Sequence, residues 1–149
     1  MPTAHQGLGV FGELKVVKDC ACPKCKRART LVRLPTNFKC ADVICDFCGY
    51  LGQVKAARVK DVSIIPKAVL GAALKPQKDR MDAAIYFPLF LVLVGAGSRK
   101  YAIYYLAADL QTPELFKART PLSKTARRAG WQGFVYETAR VAESFVRLV

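Results

Sequence analysis

Acidic residues are scarce in this sequence: 11 Asp and Glu stand against 24 Lys and Arg, a formal net charge of +13 over 149 residues. That imbalance favours a polyanionic partner, because cationic surfaces release counterions from phosphate backbones. Nucleic acid is the first expectation. The basic residues are scattered from Lys15 to Arg147 and form no basic amphipathic helix, which argues against an acidic membrane surface. A long hydrophobic run is missing too. The most apolar segment, AAIYFPLFLVLVGAG at 83 to 97, carries Pro88 and falls short of the ~20 residues a membrane helix needs, so it reads as a buried strand. The opening MPTAHQGLGVFGELK lacks a basic stretch followed by an apolar one, so nothing signals export and a cytoplasmic location is expected. Histidine is nearly absent: His5, the only one, falls in the N-terminal tail and takes no role. Repeats, low-complexity tracts and linkers are absent as well. With 52% hydrophobic residues to fill a core, a single domain over 1 to 149 is expected.

Cysteine is what the chain does have. Of its six, Cys22-Pro-Lys-Cys25 and Cys45-Asp-Phe-Cys48 form C-x2-C-x19-C-x2-C, a spacing that lets two turns present four thiolates to one tetrahedral Zn²⁺. In a reducing compartment such cysteines are metal ligands sooner than disulfides. Gly49 supplies the conformational freedom such a turn uses, and Lys24, Lys26 and Arg27 would offset the charge of four thiolates. Cys20 and Cys40 lie outside the pattern and read as buried free thiols, although Cys20-Ala-Cys22 leaves open which thiol binds. A four-cysteine site has no open coordination position, so this metal would hold structure and do no chemistry. The zinc-ribbon portion spans residues 20 to 50.

Around it, a short helix over 7 to 14, ending near Glu13, is expected to lead into a strand through Leu14 to Val17. Segments 28 to 34, 38 to 43 and 50 to 59 have strand composition. Pro66 followed by an Ala/Leu-rich run predicts a helix over 66 to 74, and KPQKDRMD after it a charged loop. Continuously apolar segments 84 to 94 and 101 to 108 predict a strand pair in the sheet centre. Thr112-Pro113-Glu114 predicts a capped short helix. Val141, Phe145, Leu148 and Val149 lie at helical spacing and predict a final amphipathic helix.

Asp42 stands just before the second knuckle and Gln53-Val-Lys55 just after it. Residues i and i+2 of a strand face one way, and the zinc turn brings the two strands back together, so Asp42 can meet Gln53 and Lys55. A carboxylate, a side-chain carbonyl and the Val54 backbone carbonyl are hard oxygens suited to Mg²⁺, with Lys55 beside an attacking water. Spacing alone leaves a solvated strand face as the simpler reading.

The combination is more specific. CPKC at 22 to 25, Ala41-Asp42 three residues before Cys45, Gln53-Val-Lys55 and TARRAGWQG at 125 to 133 run over most of the chain, from about Glu13 to Gly133. In these the sequence resembles the DpnI-like restriction endonucleases, a branch of the PD-(D/E)XK nucleases with a four-cysteine zinc ribbon between the catalytic strands. The resemblance implies an α/β restriction-endonuclease-like core, a mixed central sheet flanked by helices, with the ribbon embedded. It implies Mg²⁺-dependent cleavage of double-stranded DNA: Asp42 would bind metal, Gln53 take the place of the family's second acid, Lys55 be the catalytic lysine, and Glu13 contribute as an acid ending the first helix. Gln53 departs from the family's usual carboxylate and should weaken Mg²⁺ binding. These 149 residues leave no room for the winged helix that reads methylated adenine, so methyl dependence is not carried over. Lys124, Arg127, Arg128 and Trp131 lie in the matching string and suit phosphate or guanine contacts, with a solvated loop and a packed Trp131 as the bland alternative. Arg58, Lys60 and Lys67 could extend the basic surface. The rival function is a zinc-ribbon nucleic-acid-binding module without catalysis.

Overall fold

The computed structural model of the chain describes residues 4–149, apart from the side chain of His5. Helix α1, Ala4–Asp19, takes in both His5, expected in a tail, and residues 14 to 17, expected as a strand. The helix continues because Leu8, Gly12 and Val16 share one face at i, i+4 and i+8, and Val16 is fully buried. Gly12 permits the close approach: a Cβ there would meet the Cβ of Ala56 at 3.0 Å.

Strands β1 (Leu31–Arg33), β2 (Val43–Cys45) and β3 (Leu51–Arg58) form an antiparallel meander, shorter in its first two strands than composition suggests. β3 then pairs in parallel with β5 (Leu89–Val94), and β5 pairs antiparallel with β6 (Tyr101–Leu106). The mixed six-stranded sheet has the order β1-β2-β3-β5-β6-β9, with β9 being Val146–Arg147. A second sheet has the order β4-β8-β7, from β4 (Val69–Ala73), β8 (Gly133–Tyr136) and β7 (Phe116–Ala118).

β5 is buried along its whole length because both its faces are covered. Phe90, Val92 and Val94 join Val16, Leu31, Val43, Cys22 and Cys45 in one core; Leu89, Leu91 and Leu93 join Phe116, Phe134 and Tyr136 of the second sheet in the other. The register Gln53↔Leu89 and Lys55↔Leu91 turns Gln53 and Lys55 toward the second sheet, and Val54 and Ala56 toward α1.

Four further expectations are corrected. Residues 66 to 74 do not form a helix: Val69↔Tyr136 and Ala73↔Gly133 pair β4 with β8, and Gly71 leaves room for the Phe134 ring, which a Cβ would meet at 2.4 Å. Burial against aromatics overrides helix propensity here. The charged segment expected as a loop is helix α2, Leu74–Asp82, with Lys75–Asp79 and Lys78–Asp82 ion pairs at i, i+4 and Pro76 in the first turn. The C-terminal amphipathic helix is likewise absent: a 3₁₀ segment Thr138–Ser144, kinked at Val141, leads into β9, whose pairing with Tyr104 and Tyr105 extends the sheet edge. Thr112-Pro113 opens only a single 3₁₀ turn, Pro113–Leu115, without a side-chain capping bond. Among the described residues no helix is long and apolar enough to cross a membrane.

Candidate active site and metal centre

The two knuckles are built alike. Cys25 N–H points at Cys22 Sγ and Cys48 N–H at Cys45 Sγ, each at 3.5 Å; Lys26 N–H donates to Cys22 O and Gly49 N–H to Cys45 O. The residue closing each turn is left-handed, Lys26 at φ 66° and Gly49 at φ 79°. Only the second turn uses the glycine that favours this conformation.

The four Sγ atoms all lie within 4.8 Å of one another, with Cys22–Cys48 at 3.6 Å and Cys25–Cys45 at 3.7 Å. Sulfurs bound tetrahedrally to one Zn²⁺ at about 2.3 Å would stand about 3.8 Å apart, so the cluster fits zinc and closes its coordination. Cys20 stays outside it, buried, with burial and then Asp19 pushing its thiol up to about 12, so it remains protonated. Cys40 is not simply buried. It is half-exposed at φ 65° and lines the cavity described next.

Asp42 directly precedes β2, about 10 Å along the extended chain from Cys45. Its backbone bonds Gly52 and Leu34 on either side, and its Oδ2 accepts the Val54 N–H at 2.7 Å. A strand residue's N–H and C=O point the same way, so the Val54 carbonyl faces the Asp42 side as well. Asp42 and Lys55 line two adjoining cavities. One, about 210 Å³, adds Gln53, Cys40, Phe38, Gln77 and Phe134. The other, about 160 Å³, adds Glu13, Val54, Gly71 and Leu70. Asp42, Gln53, Val54, Lys55 and Glu13 therefore surround one locus.

Burial pushes the Asp42 carboxyl above its ordinary value, opposed by the Val54 N–H and by the charges of Lys55 and Arg33. Burial lowers the Lys55 ammonium, opposed by Asp42, Cys40 and Glu13. Glu13 lies inside α1 and not at its end, since the helix runs on to Asp19. Burial raises its carboxyl, and Arg33 Nε donates to it at 3.0 Å. Gln53 is buried, and its Oε1 accepts the Tyr136 hydroxyl at 2.5 Å. Tyr136 is itself enclosed, so desolvation lifts its phenol far above the usual range and keeps it a donor.

Lys124, Arg127 and Arg128 lie exposed on the β7–β8 connection and line neither of these cavities. Leu122 N–H donates to Trp131 O and Gly130 N–H to Leu122 O, which closes the loop at its base. Trp131 is half-buried against Gly133, with the Arg128 guanidinium 4.6 Å from its ring centroid. A cleft between this loop and α2 is lined by Trp131, Gln132, Lys75 and Lys78, and it shares Ala73 with the larger Asp42 cavity. Arg58 is committed elsewhere, donating to Gly95 O and Ser98 Oγ.

Residues 3–149 match the family model DpnI, described as the Dam-replacing family. The chain belongs to the DpnI family. No curated protein matches it. In this DpnI-family chain Gln53 acquires a structural context, because Tyr136 holds its side-chain amide. Tyr136, Arg33 and Gln77 escaped the sequence reading. The alternation Phe134-x-Tyr136 carried a strand signal, but nothing in sequence pairs it with Gln53 across 83 positions.

Proposed function

We propose that this chain is a Mg²⁺-dependent endonuclease that hydrolyses phosphodiester bonds of double-stranded DNA, of restriction type. The observation that carries the reading is the convergence of Asp42, Val54 and Lys55 on adjoining cavities, with Gln53 and Glu13 on their walls, beside a closed four-cysteine cluster. Asp42, the Val54 carbonyl and the Gln53 side-chain carbonyl are hard oxygens of the kind Mg²⁺ takes, and Glu13 stands near enough to act on Asp42 electrostatically. When bound, the ion supplies Lewis acidity toward a phosphate oxygen. Zinc in the cysteine cluster has only a structural part.

The protein's own groups divide the remaining work. Asp42 stays oriented by the Val54 N–H and does not depend on the metal for its position. Lys55, with its proton loosened by burial, stands beside the attacking water. As that water's oxygen bonds to phosphorus, Lys55 or bulk solvent takes its proton, the phosphorus–oxygen bond to the leaving sugar breaks, and the leaving oxygen is protonated by water. Lys55 in its charged form also stabilises the negative charge that builds on the phosphate.

Incubating the zinc-loaded protein with differently methylated plasmids tests this. Cleavage is expected with Mg²⁺ or Mn²⁺ and none in EDTA. Because Asp42 must be ionised to hold metal and its carboxyl is raised, cleavage at limiting Mg²⁺ should fail on acidification at a higher pH than an ordinary aspartate would give. A protein that cuts no duplex under any of these conditions would leave the second reading, a DNA-binding module without catalysis. The neutral, Tyr136-engaged Gln53 is the observation that favours it.

The β7–β8 loop serves either reading as a phosphate contact. Arg127→Glu with Arg128→Glu should weaken duplex binding and reduce the salt slope by about 2, one released counterion for each lost contact. Fluorescence anisotropy at several salt concentrations measures both. An unchanged slope would make the loop a solvated turn.

A further inference from the structure

Among the described residues, one buried side-chain oxygen has no hydrogen-bond partner: Oε1 of Gln77. Gln77 is 2% exposed and is the buried residue of α2, while the helix's charged residues pair at i, i+4 on its solvent side. A packing position of that kind suits Leu or Met, and leaving an amide oxygen unpaired there forfeits a hydrogen bond the group makes in water. Such an orphan in a native fold calls for a partner the protein atoms alone do not provide.

The cavity says what that partner is. Gln77 lines the 210 Å³ space together with Asp42, Gln53 and Lys55. The side chains lining it include one carboxylate, two glutamines and the two lysines Lys39 and Lys55; the Gln53 oxygen already accepts from Tyr136, and the Gln77 oxygen is enclosed and reaches the cavity by turning its amide. Oxygen donors with a single carboxylate suit a hard divalent cation, and the site is short of ligands because Gln53 brings no charge and shares its oxygen. We propose that Gln77 is a further oxygen donor of the divalent-cation site at Asp42. This rests on the reading of that locus as a Mg²⁺ site and deepens it. Nothing has to be broken for Gln77 to serve, since its oxygen is unpaired and the terminal amide torsion is broad. A neutral donor adds a ligand without repelling Asp42.

Calorimetric titration of the zinc-loaded chain with Mn²⁺ decides it, independently of any cleavage. Asp42→Asn should abolish binding and so establish the locus. Gln77→Met, which keeps the volume and removes the oxygen, should weaken Mn²⁺ binding by about tenfold. It should leave the melting temperature of the Mn²⁺-free protein equal or higher, since it removes the orphan. Gln77→Glu should bind Mn²⁺ at least as tightly as wild type at pH 8, and it decides the matter if the Met variant does not fold. Mn²⁺ affinity within twofold of wild type in Gln77→Met, or a loss of affinity in Gln77→Glu, overturns the proposal and assigns the orphan to a buried water. If wild type binds no Mn²⁺, or Asp42→Asn leaves binding intact, the cation site itself is wrong and the proposal falls with it.

Discussion

Replacing Cys22 and Cys45 together by serine is expected to release the zinc and abolish cooperative folding. Each substitution takes one thiolate from a different knuckle, so neither knuckle can present its pair, and the remaining two sulfurs do not close a tetrahedron. The loss is not confined to a surface turn. Cys22 and Cys45 are buried in the same core as Val16, Leu31, Val43 and Phe90, and Cys45 closes the β1–β2 register opposite Leu31. Structural zinc sites of this type contribute about 10–16 kcal/mol of binding free energy. A domain of ordinary stability has only about 5–15 kcal/mol in total. Metal analysis should find one tightly held zinc per chain in wild type, and thermal unfolding of the double variant should show no cooperative transition. Less than half an equivalent of zinc in wild type, or a cooperatively folded zinc-free variant, would remove the metal from the account of this fold.

The four-cysteine cluster was legible because its signal is local: ligand spacing and a turn residue suffice, and both knuckles come together as spaced. The mixed sheet came with the family resemblance, and the β5–β6 pair was legible because burial on both faces leaves an unbroken apolar run. What was misread depends on contacts far apart in sequence. Residues 66 to 74 have helical composition, yet β4 forms because Phe134 and Tyr136, more than sixty positions on, present a surface that an extended Gly71 fits. Moving the strand there pushed the helix on into 74 to 82, where i, i+4 ion pairs hidden in an apparently loop-like run stabilise it. The same error concealed Gln77, since no side chain of a surface loop would be sought in a cavity. At the chain's end, helical spacing of Val141 and Phe145 lost to an open sheet edge at Tyr104 and Tyr105 that β9 could cover. Glu13, expected at the end of the first helix, lies inside α1, and Arg33, its ion-pair partner twenty residues later, was not visible.

Lys55→Ala should lower Mg²⁺-dependent cleavage at least about a hundredfold, the scale on which positioned proton-transfer groups act, and Asp42→Ala should do the same by removing the metal's only charged ligand on β2 and β3. Neither should disturb zinc content, because the cysteine cluster shares no residue with this locus and lies at the other end of β2. DNA binding should stay within a few-fold of wild type, since the exposed cations of the β7–β8 loop need no metal. Folding should tolerate both changes: burial disfavours the charged form of Lys55 and of Asp42, so removing either relieves a desolvation cost, although Asp42→Ala also frees the Val54 N–H. Gln53→Glu makes the finer test. Tyr136 would donate to a carboxylate in place of an amide, a stronger charge-assisted bond, and the second carboxylate oxygen would be left for the metal. The Mg²⁺ concentration giving half-maximal cleavage should therefore fall, while the rate at saturating Mg²⁺ holds or rises. If the wild-type chain cuts slowly and Gln53→Glu quickens it only at low Mg²⁺, the glutamine tunes metal affinity. Were both proteins inert with Mg²⁺ and Mn²⁺ while still binding duplex, the Asp42 locus would be a nuclease-like fold without its reaction, since a fold does not by itself fix function.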